Sequence, residues 1–523
     1  MAASAPARSG GPTDGNAAPG AADVDPGTGG SVPRERPTRP LRPPRHRQAE
    51  DHHAANDNGR GPLRRRRPAL PGTRRPGIIG RVRILIVSTA FPRFADDPTA
   101  KWLVETIRRL SAEGYEIEVL TSAYRGGGNR ELDGIRVHRF RYFLARWENL
   151  THEESAPDRM RRSLFYTLLP AFYIAFGTVA AWRLGRRGRF DIVHVHWPVP
   201  HALFGWAARA GAQRRPKLIA HFYSVELRWV RHSLPLLRGF LRRAITSADR
   251  VVAISTSTAA EVRAVAPVPV AVIPYAVDLP HPSRLAALPA ALPAALPPAL
   301  PPALPPGPPS AGSPATADTS RAGRPRTLLS VGRLVERKGV RYLLEALAAL
   351  PARVPARAVI IGDGPERDTL EALAQTLGVA DRVAFRGWVT PSELDRAYTE
   401  ADVFVLPAVV DARGDTEGLG MVLLEAMTYR VPVISTPLGG ITDIVEHERT
   451  GLLVPPNDAG ALAGAIVRLA EEPALARRLA VDGQRYAHER FSWASVLAAW
   501  RALYADVLSA GRPADEPAAT AAS

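Results

Sequence analysis

Two glutamates eight positions apart, Glu417 and Glu425, bracket two glycines in the run Asp415-Thr-Glu-Gly-Leu-Gly-Met-Val-Leu-Leu-Glu-Ala-Met427. Gly418 and Gly420 allow close backbone approach. The apolar run Met421 to Met427 reads as a buried helix, whose first turn offers unpaired N–H groups and a partial positive charge. An anion suits that place. Were the spacing fully helical, the carboxylates would stand roughly 12 Å apart along the axis, about the span from a sugar hydroxyl across a diphosphate to a ribose. The ligand described is a sugar joined to a nucleotide by a diphosphate. For either glutamate alone, a wetted surface position is an equal reading, because Glu is mostly exposed. The pair with its glycines, Gly418-Leu419-Gly420, is harder to explain that way.

A second anchor is Val331-Gly-Arg-Leu-Val-Glu-Arg-Lys-Gly339. Gly332 lets the chain turn off a strand, while Arg333 and Lys338 can project toward one mouth and offset a diphosphate. Arg suits a forked contact to phosphate oxygens and Lys a point charge. In an Arg-rich chain such a pair is, by itself, ordinary surface. Ile361-Gly-Asp-Gly-Pro365 and Gly439-Gly440 are further glycine-rich exits, each weak in isolation.

These loops need strands to leave from. Val82–Ser88, a helix over Lys101–Glu113 and Glu116–Thr121 have parallel-sheet spacing, and the alternation continues at Asp191–Val195, Lys217–His221, Arg250–Ile254 and Val270–Pro274. It resumes with strands at Thr327–Val331, Arg357–Ile361, Arg382–Phe385, Val403–Leu406, Val433–Ser435 and Gly451–Val454, and helices at Val340–Leu350, Glu366–Leu377, Pro391–Thr399 and Gly420–Met427. The expected architecture is α/β: two doubly wound Rossmann-like domains, 81–280 and 326–490, facing a cleft into which the motif loops project. The stretch 281–325 is an Ala/Leu/Pro-rich linker, since frequent proline forbids a helix or a central strand. Residues 1–80 and 511–523 read as disordered tails, the first of them basic.

At 523 residues the chain is long enough for such domains, and it has no cysteine, which excludes disulfides and thiolate chemistry. Much of the net charge of +17 comes from the first 80 residues. What remains is compatible with anionic lipid or a phosphate-bearing substrate, and specific nucleic-acid binding is not expected. Leu164–Trp182 carries no charge and is flanked by arginines. Its length would span a bilayer, but a span would separate the following strand from the sheet, so a domain helix is expected, with a membrane-facing basic helix as the intermediate reading. No secretory signal is visible, and a cytoplasmic place, at the inner face of the cytoplasmic membrane if membrane-associated, follows as an expectation.

As an ordered set the motifs resemble those of the retaining GT-B glycosyltransferases, in particular the family 4 "group 1" enzymes of the exopolysaccharide and lipopolysaccharide type. The set is Gly332-Arg333 with Lys338-Gly339, Gly362-Asp-Gly-Pro365, Phe385-Arg-Gly387, Glu417 with Glu425, Pro432-Val-Ile-Ser-Thr436, Gly439-Gly440 and Gly451-Leu-Leu-Val-Pro455. The likeness covers roughly Arg81 to Leu508. It implies that Arg333 and Lys338 stabilise the departing diphosphate, Glu417 contacts the donor sugar, and the backbone of Gly418, Leu419 and Gly420 touches sugar and phosphate. Glu425 would bind the ribose, and the segment with Arg386 and Gly387 would line the base. The helix over 491–510 would cross back to the first domain. The implied activity is transfer of a hexose from a UDP- or GDP-linked donor to a saccharide or lipid-linked acceptor, with no cofactor and no metal. A sugar-nucleotide epimerase or phosphorylase, or a donor-binding scaffold, is the alternative.

The acceptor half departs from the pattern. Leu218-Ile-Ala-His-Phe-Tyr-Ser-Val-Glu-Leu227 stands where relatives carry His-Gly-x-Asp, and the gapless register puts Tyr223 at the His and Glu226 at the Asp. A shifted register would make it His221. His196 is another cleft candidate, while His194 and His221 also read as satisfied core histidines. Tyr275-Ala276 stands where Asn-Gly is usual.

Overall fold

The structure is a computed structural model that describes residues 82–278 and 324–510, apart from 90, 95, 96, 98, 152–158, 161 and 162. The tails expected over 1–80 and 511–523, and nearly all of the expected linker, lie outside the described residues.

The first sheet has the strands β1 (Arg83–Val87), β2 (Glu116–Ser122), β3 (Arg130–Leu132), β4 (Ile135–Phe140), β5 (Ile192–His196), β6 (Lys217–Phe222), β7 (Arg250–Ala253) and β8 (Val270–Val272). Their order is β3-β4-β2-β1-β5-β6-β7-β8, and only the β3–β4 pair is antiparallel. Its helices are α1 (Lys101–Ala112), α2 (Leu164–Arg187), α3 (Pro198–Gly211), α4 (Val225–His232), α5 (Arg238–Thr246) and α6 (Thr256–Val265). The second sheet, wholly parallel, runs β11-β10-β9-β12-β13-β14. Its strands are β9 (Arg326–Val331), β10 (Ala356–Ile361), β11 (Val383–Gly387), β12 (Val403–Leu406), β13 (Val433–Ser435) and β14 (Leu452–Leu453). Around them lie α7 (Val340–Ala349), α8 (Arg367–Thr376), α9 (Pro391–Glu400), α10 (Met421–Thr428), α11 (Ala459–Glu471), α12 (Pro473–Phe491) and α13 (Trp493–Ser509). Central strands such as β12, Val-Phe-Val-Leu, are buried throughout, as expected for a parallel sheet covered on both faces.

Strand order reverses beside β9, between β10 and β12. At such a switch point the loops leaving adjacent strands diverge and open a crevice. The loops after β9 and β12 are those that carry Lys338 and Glu417.

The last helix joins the two halves. Val277 N–H donates to the Phe491 carbonyl at 2.8 Å, and α13 then lays Val496, Trp500, Tyr504 and Val507 against Ile84, Leu103 and Ile107 of the first body. Arg250–Asp506 at 2.6 Å and Arg501–Glu113 at 2.7 Å fasten its exposed side.

Three expectations change. Strand β11 continues through Gly387, so Arg386 and Gly387 lie in the strand and not in a loop leaving it. Helix α2 runs five residues past Trp182, to Arg187, and packs one side into the first body. A Cβ at its Gly185 would lie 2.1 Å from the Ala208 carbonyl oxygen of α3, so this glycine lets the two helices touch. The β3–β4 hairpin is additional. It turns on Asp133-Gly134, both at positive φ, a dipeptide that marks tight hairpins.

Trp500 is buried and lies 5.0 Å from the His194 ring and 5.3 Å from that of His221. Trp500→Ala should cost about 3–5 kcal/mol and release α13. Denaturant unfolding and amide exchange over 493–509 check this, and unchanged protection there would show that α13 is held by its rim ion pairs instead.

Candidate active site

Lys338 closes a single 3₁₀ turn, Glu336–Lys338, after the chain leaves β9 at Gly332. Gly339 follows at φ +66°, and a Cβ there would fall 1.8 Å from the Pro407 carbonyl oxygen just after β12. Only glycine lets these loops lie so close. The Val409 N–H bonds the Arg337 carbonyl at 3.0 Å between the same loops. The Lys338 side chain folds back over Gly332, and its Nζ donates to Glu417 Oε2 at 2.6 Å. Burial would push the Glu417 carboxyl up, but Lys338, then Arg337 and the Gly418 N–H, hold it below the usual carboxylate range.

The segment behind Glu417 is fixed by backbone. Gly440 N–H bonds the Glu417 carbonyl at 3.3 Å, and a Cβ on Gly440 would sit 2.2 Å from the Gly418 oxygen. Leu419 is buried, so only its backbone is available to a ligand. Gly420, at φ +92°, starts α10, which presents Glu425 one turn in. Tyr398 donates to Glu425 Oε2 at 2.7 Å. Burial raises Glu425, opposed by that hydrogen bond and by the charge of Lys338. Lys338 therefore acts electrostatically on both glutamates.

The facing wall is built of aromatic rings, one buried carboxyl and the Arg228–Glu261 ion pair. Tyr223 follows β6, its hydroxyl shared between Nδ1 of His196 at 2.5 Å and Nδ1 of His221 at 3.1 Å, its ring stacked on Trp197. Ser224 sits at φ +71°, and Glu226 enters the first turn of α4, accepting from Tyr223 N–H at 2.9 Å. Glu226 Oε2 is buried without a partner, and burial pushes the carboxyl up to about 7. Burial, then Glu226 and Glu417, raise the Tyr275 hydroxyl, so one carboxylate from each half acts on this ring. Arg228 spans the halves, donating to the Thr416 carbonyl at 3.2 Å while paired with Glu261 at 3.2 Å.

Residues 315–486 match the family model of the group 1 glycosyl transferases, and residues 99–280 match that of glycosyltransferase family 4. A GDP-mannose-dependent alpha-(1-6)-phosphatidylinositol monomannoside mannosyltransferase of Mycobacterium tuberculosis is 30% identical over 384 residues, 72% of this chain and 92% of that relative. The chain belongs to the group 1 glycosyltransferases. Among solved structures, a sucrose-phosphate synthase from Thermosynechococcus elongatus superposes with a TM-score of 0.60 at 24% identity, covering 82% of this chain and all of that one. Anabaena HepE in complex with UDP and glucose gives 0.55 at 18%, covering 82% and 100%. These likenesses establish the GT-B fold.

Not every expected residue of this glycosyltransferase converges. Lys338, Glu417, Glu425 and the Gly418–Gly420 backbone do. Arg333 is exposed and has no ion pair among the described residues. Arg386 is exposed on β11, while the Gly387 carbonyl accepts from Gly362 N–H at 2.8 Å, joining the two glycine motifs through backbone. His196 is buried at the end of β5, bonded at Nδ1 to the Tyr223 hydroxyl and lying beside the Trp102 and Trp197 rings. His194 and His221 are likewise buried, each bonded at Nδ1 to a tyrosine hydroxyl, with Nε2 unpartnered. Burial holds His194, His196 and His221 far below the usual imidazole range, hence neutral. The three lie together, with one ring nitrogen of each within 4.8 Å of the others, and their ring planes meet at 29° for His194 with His196, 17° for His194 with His221 and 46° for His196 with His221.

Tyr398, Arg337 and Arg228 were missed. Tyr398 meets Glu425 across 27 positions with no motif to mark it. Arg337 adjoins Lys338 and was visible beside it.

A raised carboxyl means that folding favours the protonated form. The Glu226 penalty is absent below its ordinary 4.5, grows as pH rises, and is complete above about 7. Relative to Glu226→Gln, the wild type should lose on the order of 3 kcal/mol of stability between pH 4 and pH 8. Urea unfolding of both proteins measures this, and parallel pH profiles would contradict it.

Proposed function

We propose that the chain transfers a hexose from a nucleotide-diphosphate sugar to a saccharide or lipid-linked acceptor, with retention of the anomeric configuration. The observation that carries this reading is Lys338 held at 2.6 Å from Glu417, beside the opening of the helix that bears Glu425. An ammonium has three donors, and Glu417 occupies one. Two remain for diphosphate oxygens. As the bond between the sugar's anomeric carbon and the diphosphate breaks, negative charge grows on the β-phosphate, where Lys338, the α10 N–H groups and the exposed Arg333 are fixed or available donors. The second oxygen of Glu417 can accept from a sugar hydroxyl, and that of Glu425 from a ribose hydroxyl. On the opposite wall, the half-buried rings of Trp197 and Tyr275 give an acceptor sugar an apolar surface to lie against, backed by Tyr223.

The mannosyltransferase relative is named for GDP-mannose and a phosphatidylinositol-based acceptor, which supports a nucleotide-sugar donor and a lipid-linked acceptor here. Such an acceptor would put the enzyme in the cytoplasm at the inner face of the membrane.

Lys338→Ala should lower kcat by about 10²–10³, the loss typical of removing one fixed oxyanion donor. Glu425→Ala should chiefly raise KM for the donor. Nucleoside diphosphate release should require acceptor, and proton NMR of the product should show the donor's own anomeric configuration. Unchanged kinetics in both variants would refute the site, and release without acceptor or an inverted product would refute the reaction.

A further inference from the structure

Strand β5 reads Ile-Val-His-Val-His, and its two histidines, two positions apart, share one face of the sheet. His221 of β6 is the parallel partner of His196, so all three imidazoles stand together on that face, against Trp500 and Tyr504 of α13. A buried polar ring needs both nitrogens satisfied, and each of these has only one. Nδ1 of His194 is bonded to the Tyr504 hydroxyl, and Nδ1 of His196 and of His221 to that of Tyr223. The Nε2 atoms of all three are closed to solvent and have no hydrogen-bond partner.

The spacing fits one ion. The ring centres are 4.3, 5.1 and 5.5 Å apart, where imidazoles on a tetrahedral zinc, with Zn–N bonds of about 2.0–2.1 Å, stand roughly 5 Å apart. One nitrogen of each ring lies within 4.8 Å of the others. Such bonds hold two ligand atoms no more than about 4.2 Å apart, so the rings would draw in by up to about 0.6 Å. A water needs space that nitrogens closed to solvent do not have, whereas a bare ion sits about 2 Å from each.

The surroundings suit the same occupant. A metal-ligating imidazole donates its other N–H to a fixed acceptor, which sets the tautomer. Tyr504 can accept from one ring, and the Tyr223 oxygen, with two lone pairs, from two. Burial keeps the rings neutral, so an ion has no imidazolium proton to displace. A cavity of about 20 Å³ adjoins them beside Trp102, Tyr275 and Trp500, room for about one water as a fourth ligand. Imidazole nitrogens favour zinc and its neighbours over the oxygen-seeking magnesium and calcium.

We infer that His194, His196 and His221 bind one divalent transition-metal ion of the zinc type through Nε2. Its role is structural: the ligands tie β5 to β6, and the Tyr504 bond to His194 ties α13 to both. The inference does not depend on the transferase reading, and binding tests it without turnover.

The full chain is stripped with a chelator and titrated with Co²⁺ and then Zn²⁺, followed by visible absorption and thermal melting. The wild type should take up one equivalent of Co²⁺ with the intense bands of a four-coordinate site, Zn²⁺ should displace it, and Zn²⁺ should raise the melting temperature. Tyr504→Phe keeps the ring and removes only the hydroxyl on His194, and should weaken the affinity roughly 10- to 100-fold. His194→Gln/His221→Gln should abolish the bands, while the exposed His232→Gln should keep them. Circular dichroism reports the folding of each variant, and Tyr504→Phe decides if the double variant does not fold. His46, His52 and His53 are common to all of these proteins, so wild-type affinity in both Tyr504→Phe and the double variant would assign the ion to other histidines and overturn the inference. A wild type without the four-coordinate bands would overturn it whatever the variants do.

Discussion

A lysine held against a glutamate from the neighbouring loop is the constraint on which the donor half is built. Lys338 and Glu417 are each only about one-eighth exposed, at 12% and 13%. Such partly buried pairs do little for net stability, because desolvation offsets much of the attraction. What the pair fixes is position. Backbone packed on backbone holds it: Gly339 against Pro407, Gly440 against Gly418. Neither partner can drift without opening contacts that no side-chain rotation repairs.

The two walls differ in kind. The donor side carries Lys338, Arg337, Glu417 and Glu425, while the acceptor side is chiefly aromatic rings, with one carboxyl that burial moves up and the Arg228–Glu261 ion pair. For the proposed transfer, the charge that builds on the leaving phosphate needs its fixed donors on the first of these sides. The other side, in the proposed reading, needs flat apolar surface for a sugar, and Trp197 and Tyr275 are its half-buried rings. Helix α13 links these demands, since it leaves the second body and closes the core behind His194 and His221.

The donor half was legible because its determinants are local. Glycines fix backbone, a charged residue follows each at short spacing, and buried parallel strands read as apolar runs; the positions of Lys338, Glu417 and Glu425 follow from these. What escaped depends on contacts distant in sequence. Tyr398 reaches Glu425 from another helix, and His194 of β5 meets a tyrosine of α13 310 positions on. Arg333 reads identically whether it faces the crevice or solvent, because a strand exit does not fix a long side chain. The His-Gly-x-Asp register is open in the letters, which admit Tyr223 or His221 in the His place, and both residues are buried.

The central claim is that Lys338 recognises the diphosphate and not the base or the ribose. Calorimetric titration of wild type and Lys338→Met with a nucleoside diphosphate and with its parent nucleoside tests it most directly. The account predicts that Lys338→Met weakens the diphosphate by tenfold or more, in the range of about 1.5–3 kcal/mol for a hydrogen bond to a charged group, and leaves the nucleoside unaffected. Equal loss for both ligands, or none for either, would contradict it.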